Sequence, residues 1–189
     1  MTLTQKDLDK YLSQHQNWLD SEYCDGERLY IENKTLKNLN FANYNLKHAL
    51  LFNNVFENCN FCCTSFIDNN LQENKFKDCY FYGADLTASR IYETIIENCN
   101  FKNALLKNTY IHKCKILSSN FEQSQWIDTI YSQSILEKTN LNNAYLISAV
   151  IDMSEITNVS LIDTYIKNTC FDASPNLIKD TDFSKIIKL

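Results

Sequence analysis

An apolar residue returns at every fifth position of this chain, without a slip, from Ile31 to Phe171, giving 29 hits in succession. The series opens Ile31, Leu36, Phe41, Leu46 and Leu51 and closes Leu161, Ile166 and Phe171. A helix turns every 3.6 residues and a strand alternates every two, so neither keeps every fifth side chain on one side. A chain with this period must turn a corner once per repeat to restore its register. The position two before each centre agrees: Cys59, Thr64, Cys79, Ala84, Ser89, Thr94 and Cys99 are all small. Residues i−2 and i share one side of a short extended segment, so a small and a large residue point inward together. The two residues after each centre, rich in Asn, Asp, Glu, Lys and Ser, make the corner.

A second period gives the number of corners per coil. Centres taken at intervals of twenty form a column of Phe41, Phe61, Phe81, Phe101 and Phe121, which holds five of the nine central Phe residues. Its inward partners include Cys59, Cys79 and Cys99, and Glu-Asn-Cys-Asn-Phe occurs at both 57–61 and 97–101. Intervals of fifteen produce no such column. Four faces per coil follow, with like residues stacked.

This pattern resembles the pentapeptide-repeat family over roughly three quarters of the chain. The best local match to the family's Ala-(Asp/Asn)-Leu signature is Ala84, Asp85 and Leu86, with looser ones at Cys59, Asn60 and Phe61 and at Thr139, Asn140 and Leu141. Leu39, Tyr44, Asn54, Asn69, Asn74 and Val159 depart from it at the small position. The resemblance implies an all-β fold, a right-handed quadrilateral β-helix or square solenoid of about seven coils. Coils stacked at about 4.8 Å would make a rod on the order of 34 Å long.

Residues 1–28 read as an N-terminal helix and cap, 29–174 as the β-helix, and 175–189 as a C-terminal cap or dimerisation segment. Thr4 and Asp7 resemble a capping box, and Leu8, Tyr11, Leu12, His15, Trp18 and Leu19 recur on one face of a helix over 4–20. Such a helix would cover the open edge that a solenoid otherwise exposes. Pro175 cannot donate a backbone hydrogen bond, so the coil is expected to end there. Beyond it the tail keeps Leu177, Ile178, Phe183, Ile186, Ile187 and Leu189. In the quinolone-resistance members of the family a C-terminal element joins two rods, so the resemblance implies either a cap alone or a homodimer through this end.

The formal charge of −5 is unevenly spread, with a balance of +2 over 36–115 and −4 over 116–171. No basic face with interleaved aromatics emerges, which argues against direct nucleic-acid binding. No apolar run of bilayer length occurs and the start is polar, so no membrane contact and a cytoplasmic location are expected. Eight cysteines include Cys59, Cys62 and Cys63, but the register points Cys59 inward and the other two at a corner. Their sulfurs should not converge on an ion, so packing rather than metal or disulfide is the expectation. His48 and His112 are placed at corners with no Ser or Cys in reach, and carboxylates such as Asp68, Glu73, Asp78, Glu93 and Glu97 read as solvated corners. With only Gly26 and Gly83, no phosphate loop can be built. Neither catalysis nor a cofactor or metal is expected.

The outward positions carry a clearer signal. Ile127 with Ile147, and Ile130 with Val150, lie one coil apart on either side of one corner, with Tyr145 and Tyr165 stacked beside them. Together they predict an exposed apolar patch for a protein partner. The resemblance implies a non-enzymatic protein-interaction scaffold. The alternative is a DNA-mimicking binder of type II topoisomerase (DNA gyrase) conferring quinolone or toxin protection, presenting Glu122, Asp128, Glu137, Asp152, Glu155 and Asp163 as an acidic surface. Modest overall charge and an unbroken register without loop insertions weigh against that alternative. A secreted bacterial effector is a further reading, because some family members are delivered into host cells.

Overall fold

The computed structural model describes residues 3–172 and 178–188. Every regular pair of neighbouring strands is parallel and offset by twenty residues, as in Ile31 opposite Leu51, Ile96 opposite Ile116 and Trp126 opposite Leu146. The chain is therefore a parallel β-solenoid with four faces, each named by its inward column. The first face stacks eight strands from β1, Tyr30–Glu32, to Cys170–Asp172. The second stacks eight more, from β2, Thr35–Lys37, to Ile178–Lys179. The third, over the Phe column, is held by single bridges from Asn40–Asn60 to Asn140–Ser160. The fourth starts as bridges from Asn45–Ser65 and becomes four strands from Gln125–Ile127 to Ile187–Lys188.

The corners explain why so few glycines are needed. From Asn33 to Asn168 the second residue after every centre has a φ between +45° and +65°, Gly83 included. Short polar side chains tolerate this left-handed region best. Asn or Asp accordingly occupies many of these positions, among them Asn33, Asn58, Asp78, Asn103, Asp128 and Asn158. Lys113, Lys138 and Met153 adopt the same φ without that advantage.

Inside, the centres form one continuous apolar core running the length of the rod. Its spine is the third-face column, where Phe41, Phe61, Phe81, Phe101 and Phe121 stack with successive centroids 4.6, 4.8, 4.2 and 4.5 Å apart. The Asn residues at nominally small positions are buried, and the Nδ2 of each donates to a carbonyl of the preceding coil, while Asn69 Oδ1 has no partner among the described residues. Asn54 Nδ2 donates to the Ile31 carbonyl at 2.8 Å, and its own N–H donates to Asn74 Oδ1 at 2.9 Å. Asn74 repeats the arrangement with the Leu51 carbonyl at 2.7 Å. A polar side chain at this position is tolerated because the pitch presents a carbonyl from the preceding coil.

The first coil is closed by α1, Gln5–Asp20, which Thr4 and Asp7 start with a reciprocal capping box. Leu8, Leu12 and His15 are buried against the coil, whereas Tyr11 is exposed. Gln5 imitates a missing strand: its Oε1 accepts from Asn40 N–H at 2.7 Å and its Nε2 donates to the Asn40 carbonyl at 3.0 Å. Gly26 has φ +82°, and a Cβ there would stand 2.4 Å from the Gln14 carbonyl oxygen.

One expectation is corrected at the other end. Pro175 and Leu177 lie outside the described residues, as does Leu189, but the coil does not end at Pro175. Ile178 pairs opposite Ile156 and Ile187 opposite Tyr165, so the register lengthens from twenty to 22 residues and the ladder continues. Seven intervals of twenty separate Ile31 from Phe171, and the tail's strands carry the solenoid on to about eight turns. Ile178, Phe183 and Ile186 pack against the core, and Phe183 meets Phe171 edge to face at 5.3 Å.

Candidate functional site

The outer surface differs from face to face. On the second face charges alternate along the stack, with Lys37 Nζ 2.6 Å from Glu57 and Lys75 Nζ 3.4 Å from Glu97. On the third face Asn side chains are occupied by the fold. Asn120 Oδ1 accepts from Glu122 N–H at 3.0 Å and also from Asn140 Nδ2 at 3.1 Å. Neither surface leaves much uncompensated. The corner between the fourth and first faces is different.

There Ile127 stands opposite Ile147 and Ile130 opposite Val150, with Asp128 at the turn between the two rows. Ile130 is 40% exposed and Val150 37%, while Ile127 and Ile147 are half-buried. Tyr145 and Tyr165 stack at 4.7 Å and 6° from parallel on the fourth face. The four aliphatic residues share one corner of the rod, and the two tyrosines lie on the adjoining fourth face. Parallel pairing at a pitch of twenty makes this juxtaposition unavoidable once four faces are given.

The six carboxylates do not gather. Glu137 and Glu155 project from the second face, Glu122 from the third and Asp152 from the first, while Asp128 and Asp163 occupy two different corners. Glu122 lies 3.0 Å from Lys102 Nζ, and Glu137 lies 2.9 Å from Lys138 Nζ.

His112 requires a correction. It ends the strand Tyr110–His112 instead of sitting at a corner, and its Nδ1 lies 2.9 Å from Ser132 Oγ. The same twenty-residue pitch causes this, since it sets position 112 opposite 132. The ring is flanked by Tyr92 and Tyr110, with centroids at 6.1 and 5.7 Å. Tyr110 is in turn opposite Ile130, so an aromatic cluster adjoins the apolar corner. Applying the twenty-residue spacing to the outward positions of the first face is the signal that finds it.

Among the described residues no group of three or more His, Cys, Asp or Glu could hold a metal ion. Cys59, Cys79 and Cys99 are buried, and their thiols point at the Leu36, Phe56 and Phe76 carbonyls at 3.4 to 3.5 Å. Burial pushes the Cys114 thiol up to about 11, away from reactive thiolate chemistry. No helix among the described residues is long and apolar enough to cross a membrane.

The geometry defines a class: a four-faced parallel β-solenoid with one N-terminal helix. The family model for pentapeptide repeats (8 copies) matches residues 55–87. The chain carries pentapeptide repeats and has the fold of the pentapeptide-repeat β-helices. Among solved structures, a trypsin-treated form of QnrB1, a plasmid-mediated fluoroquinolone resistance protein, is similar with a TM-score of 0.54 and 17% identity, covering 84% of this chain and 81% of that one. HetL, a pentapeptide-repeat protein involved in heterocyst differentiation regulation in the cyanobacterium Nostoc sp. strain PCC 7120, is similar with a TM-score of 0.44 and 14% identity, over 84% and 86% of the two chains. No curated protein sequence matches the chain.

Proposed function

We propose that the chain is a non-enzymatic interaction scaffold that engages a protein partner through the corner formed by Ile127, Ile130, Ile147 and Val150, with Tyr145 and Tyr165 as flanking aromatics. The observation that carries this reading is the exposure of stacked apolar side chains across the corner between the fourth and first faces. Stacked aromatic and branched side chains on a rigid ladder lose little conformational entropy on binding, which favours them as anchors. The test compares proteins captured by the wild type and by the Ile127→Lys/Ile147→Lys double variant, quantified by mass spectrometry. Specific loss of a partner from the variant supports the reading; an unchanged set of captured proteins sinks it.

The DNA-mimic reading has less support. A mimic of a duplex needs carboxylates along a continuous surface, and here the six candidates are dispersed over faces and corners, with two of them ion-paired. The likeness to QnrB1 speaks for the fold alone. A gyrase supercoiling and cleavage assay with and without a quinolone separates the two readings: inhibition or protection would favour mimicry, and no effect would leave the scaffold.

A further inference from the structure

We propose that the uncapped edge of β1 is a docking site for an extended, basic segment of a partner protein, which adds to the first face as one more parallel strand. Helix α1 does not close the first coil evenly. It serves the third face through Gln5 and reaches the start of the first face through His15, whose Nδ1 accepts from Leu29 N–H at 3.1 Å. Between α1 and β1 a groove of about 680 Å³ remains, with Leu3, Asp7 and Tyr11 on the helix side and Tyr30, Ile31 and Glu32 on the strand side.

The direction of the free backbone groups follows from the ladder below. Leu50 N–H donates to the Leu29 carbonyl at 2.9 Å, and Asn33 N–H donates to the Phe52 carbonyl at 3.2 Å. Odd-numbered residues of this segment therefore face the second coil. In a strand, alternate residues direct both backbone groups to opposite sides. Tyr30 and Glu32 thus present their N–H and C=O groups to the groove, and among the described residues the pairing with Leu50–Phe52 is the one strand contact of β1. An unpaired edge beside a groove is the geometry of strand addition.

Side-chain positions narrow the occupant. The new strand's central residue would continue the Ile31 column and meet Leu3 and Leu29, so it must be apolar. Its two neighbours would extend the outward columns of Tyr30 and Glu32. Asp7, Glu27 and Glu32 border the groove against Arg28 and Lys34. Arg28 is engaged on another side: its Nε donates to the His48 carbonyl at 2.5 Å and its guanidinium carbon lies 5.7 Å from the Trp18 ring. Glu32 accepts from the Tyr30 hydroxyl, which fixes its carboxylate beside the edge. A cationic residue on each side of the apolar one meets an aromatic ring at one position and a carboxylate at the other.

The probe is a fluorescein-labelled peptide, Ser-Gly-Thr-Lys-Ile-Lys-Thr-Gly-Ser, titrated to about 1 mM against the full chain by fluorescence polarisation. Saturable binding is expected, together with slowed amide hydrogen exchange at Tyr30 and Glu32. The same peptide N-methylated at its central Ile lacks the donor that faces Tyr30 and should not bind. Glu32→Lys, an exposed change whose folding is checked by circular dichroism, should weaken binding about fivefold. Absence of saturation, indifference to the N-methyl group or to the Glu32 charge, or unchanged exchange at the two amides each overturns the proposal. So does sedimentation showing that the wild type self-associates and that the peptide does not disperse it, which would seat a second copy on the edge.

Discussion

The rings of Phe81 and Phe101 lie 4.2 Å apart and 5° from parallel, the tightest step of a stack that runs from Phe41 to Phe121. In a solenoid each coil touches only its neighbours, so stability is close to a sum of such steps. Phe81 also meets Phe76 edge to face at 5.2 Å, which ties the third face to the second.

Phe81→Ala should therefore cost about 3–5 kcal/mol, the range for emptying a buried aromatic site. Chemical denaturation of the variant measures it. A cost below about 1 kcal/mol would show that the stack relaxes into the space.

Met153 offers the opposite opportunity. It holds φ +45° at an exposed corner and is 57% exposed, so its side chain contributes little packing. Met153→Gly or Met153→Asn should stabilise the rod by about 0.5–1 kcal/mol by relieving left-handed strain. Thermal unfolding compared with the wild type is the check.

Tyr131 is a core residue whose hydroxyl has no hydrogen-bond partner among the described residues. Burial drives its pKa well above the usual tyrosine range. Tyr131→Phe removes the desolvated oxygen and keeps the ring, so stability should be unchanged or rise by up to about 1–3 kcal/mol. A loss of more than about 1 kcal/mol would reveal a partner for the hydroxyl.

His15 couples the cap to pH. Burial lowers its pKa to about 4 from 6.5, and Nδ1 must stay unprotonated to accept from Leu29 N–H. The unfolded chain binds the proton first, so stability is complete above about pH 6.5 and falls as the pH drops toward 4. The loss should reach about 3 kcal/mol at most, since each pKa unit corresponds to 1.36 kcal/mol. His15→Gln, which can accept the same N–H without titrating, should flatten the profile in urea melts between those pH values. An unaltered slope would assign the pH dependence to other groups.

Most of the interior was legible in advance. The column of Phe residues, the inward Cys59, Cys79 and Cys99, and the pairing of Ile127 with Ile147 all follow from two periods, five and twenty. His112 was missed because the second period was applied to centres and to the apolar corner but not to the outward row of the first face. The left-handed corners were also encoded, in the Asn and Asp that recur two residues after a centre. Their signal is diluted by Lys113, Lys138 and Met153, which the fold forces into the same conformation.

The sequence by itself determined the direction in which each repeat residue points, because one local rule is applied without interruption and neighbouring coils differ only by translation. The tertiary structure alone decided how the two ends settle on their coils and how charge is distributed around the rod. The 22-residue register of the tail, the groove left between α1 and β1, and the scatter of the six carboxylates depend on contacts made once. A contact that occurs once leaves no period behind it, and its geometry is set by how a single helix or tail settles on a single coil.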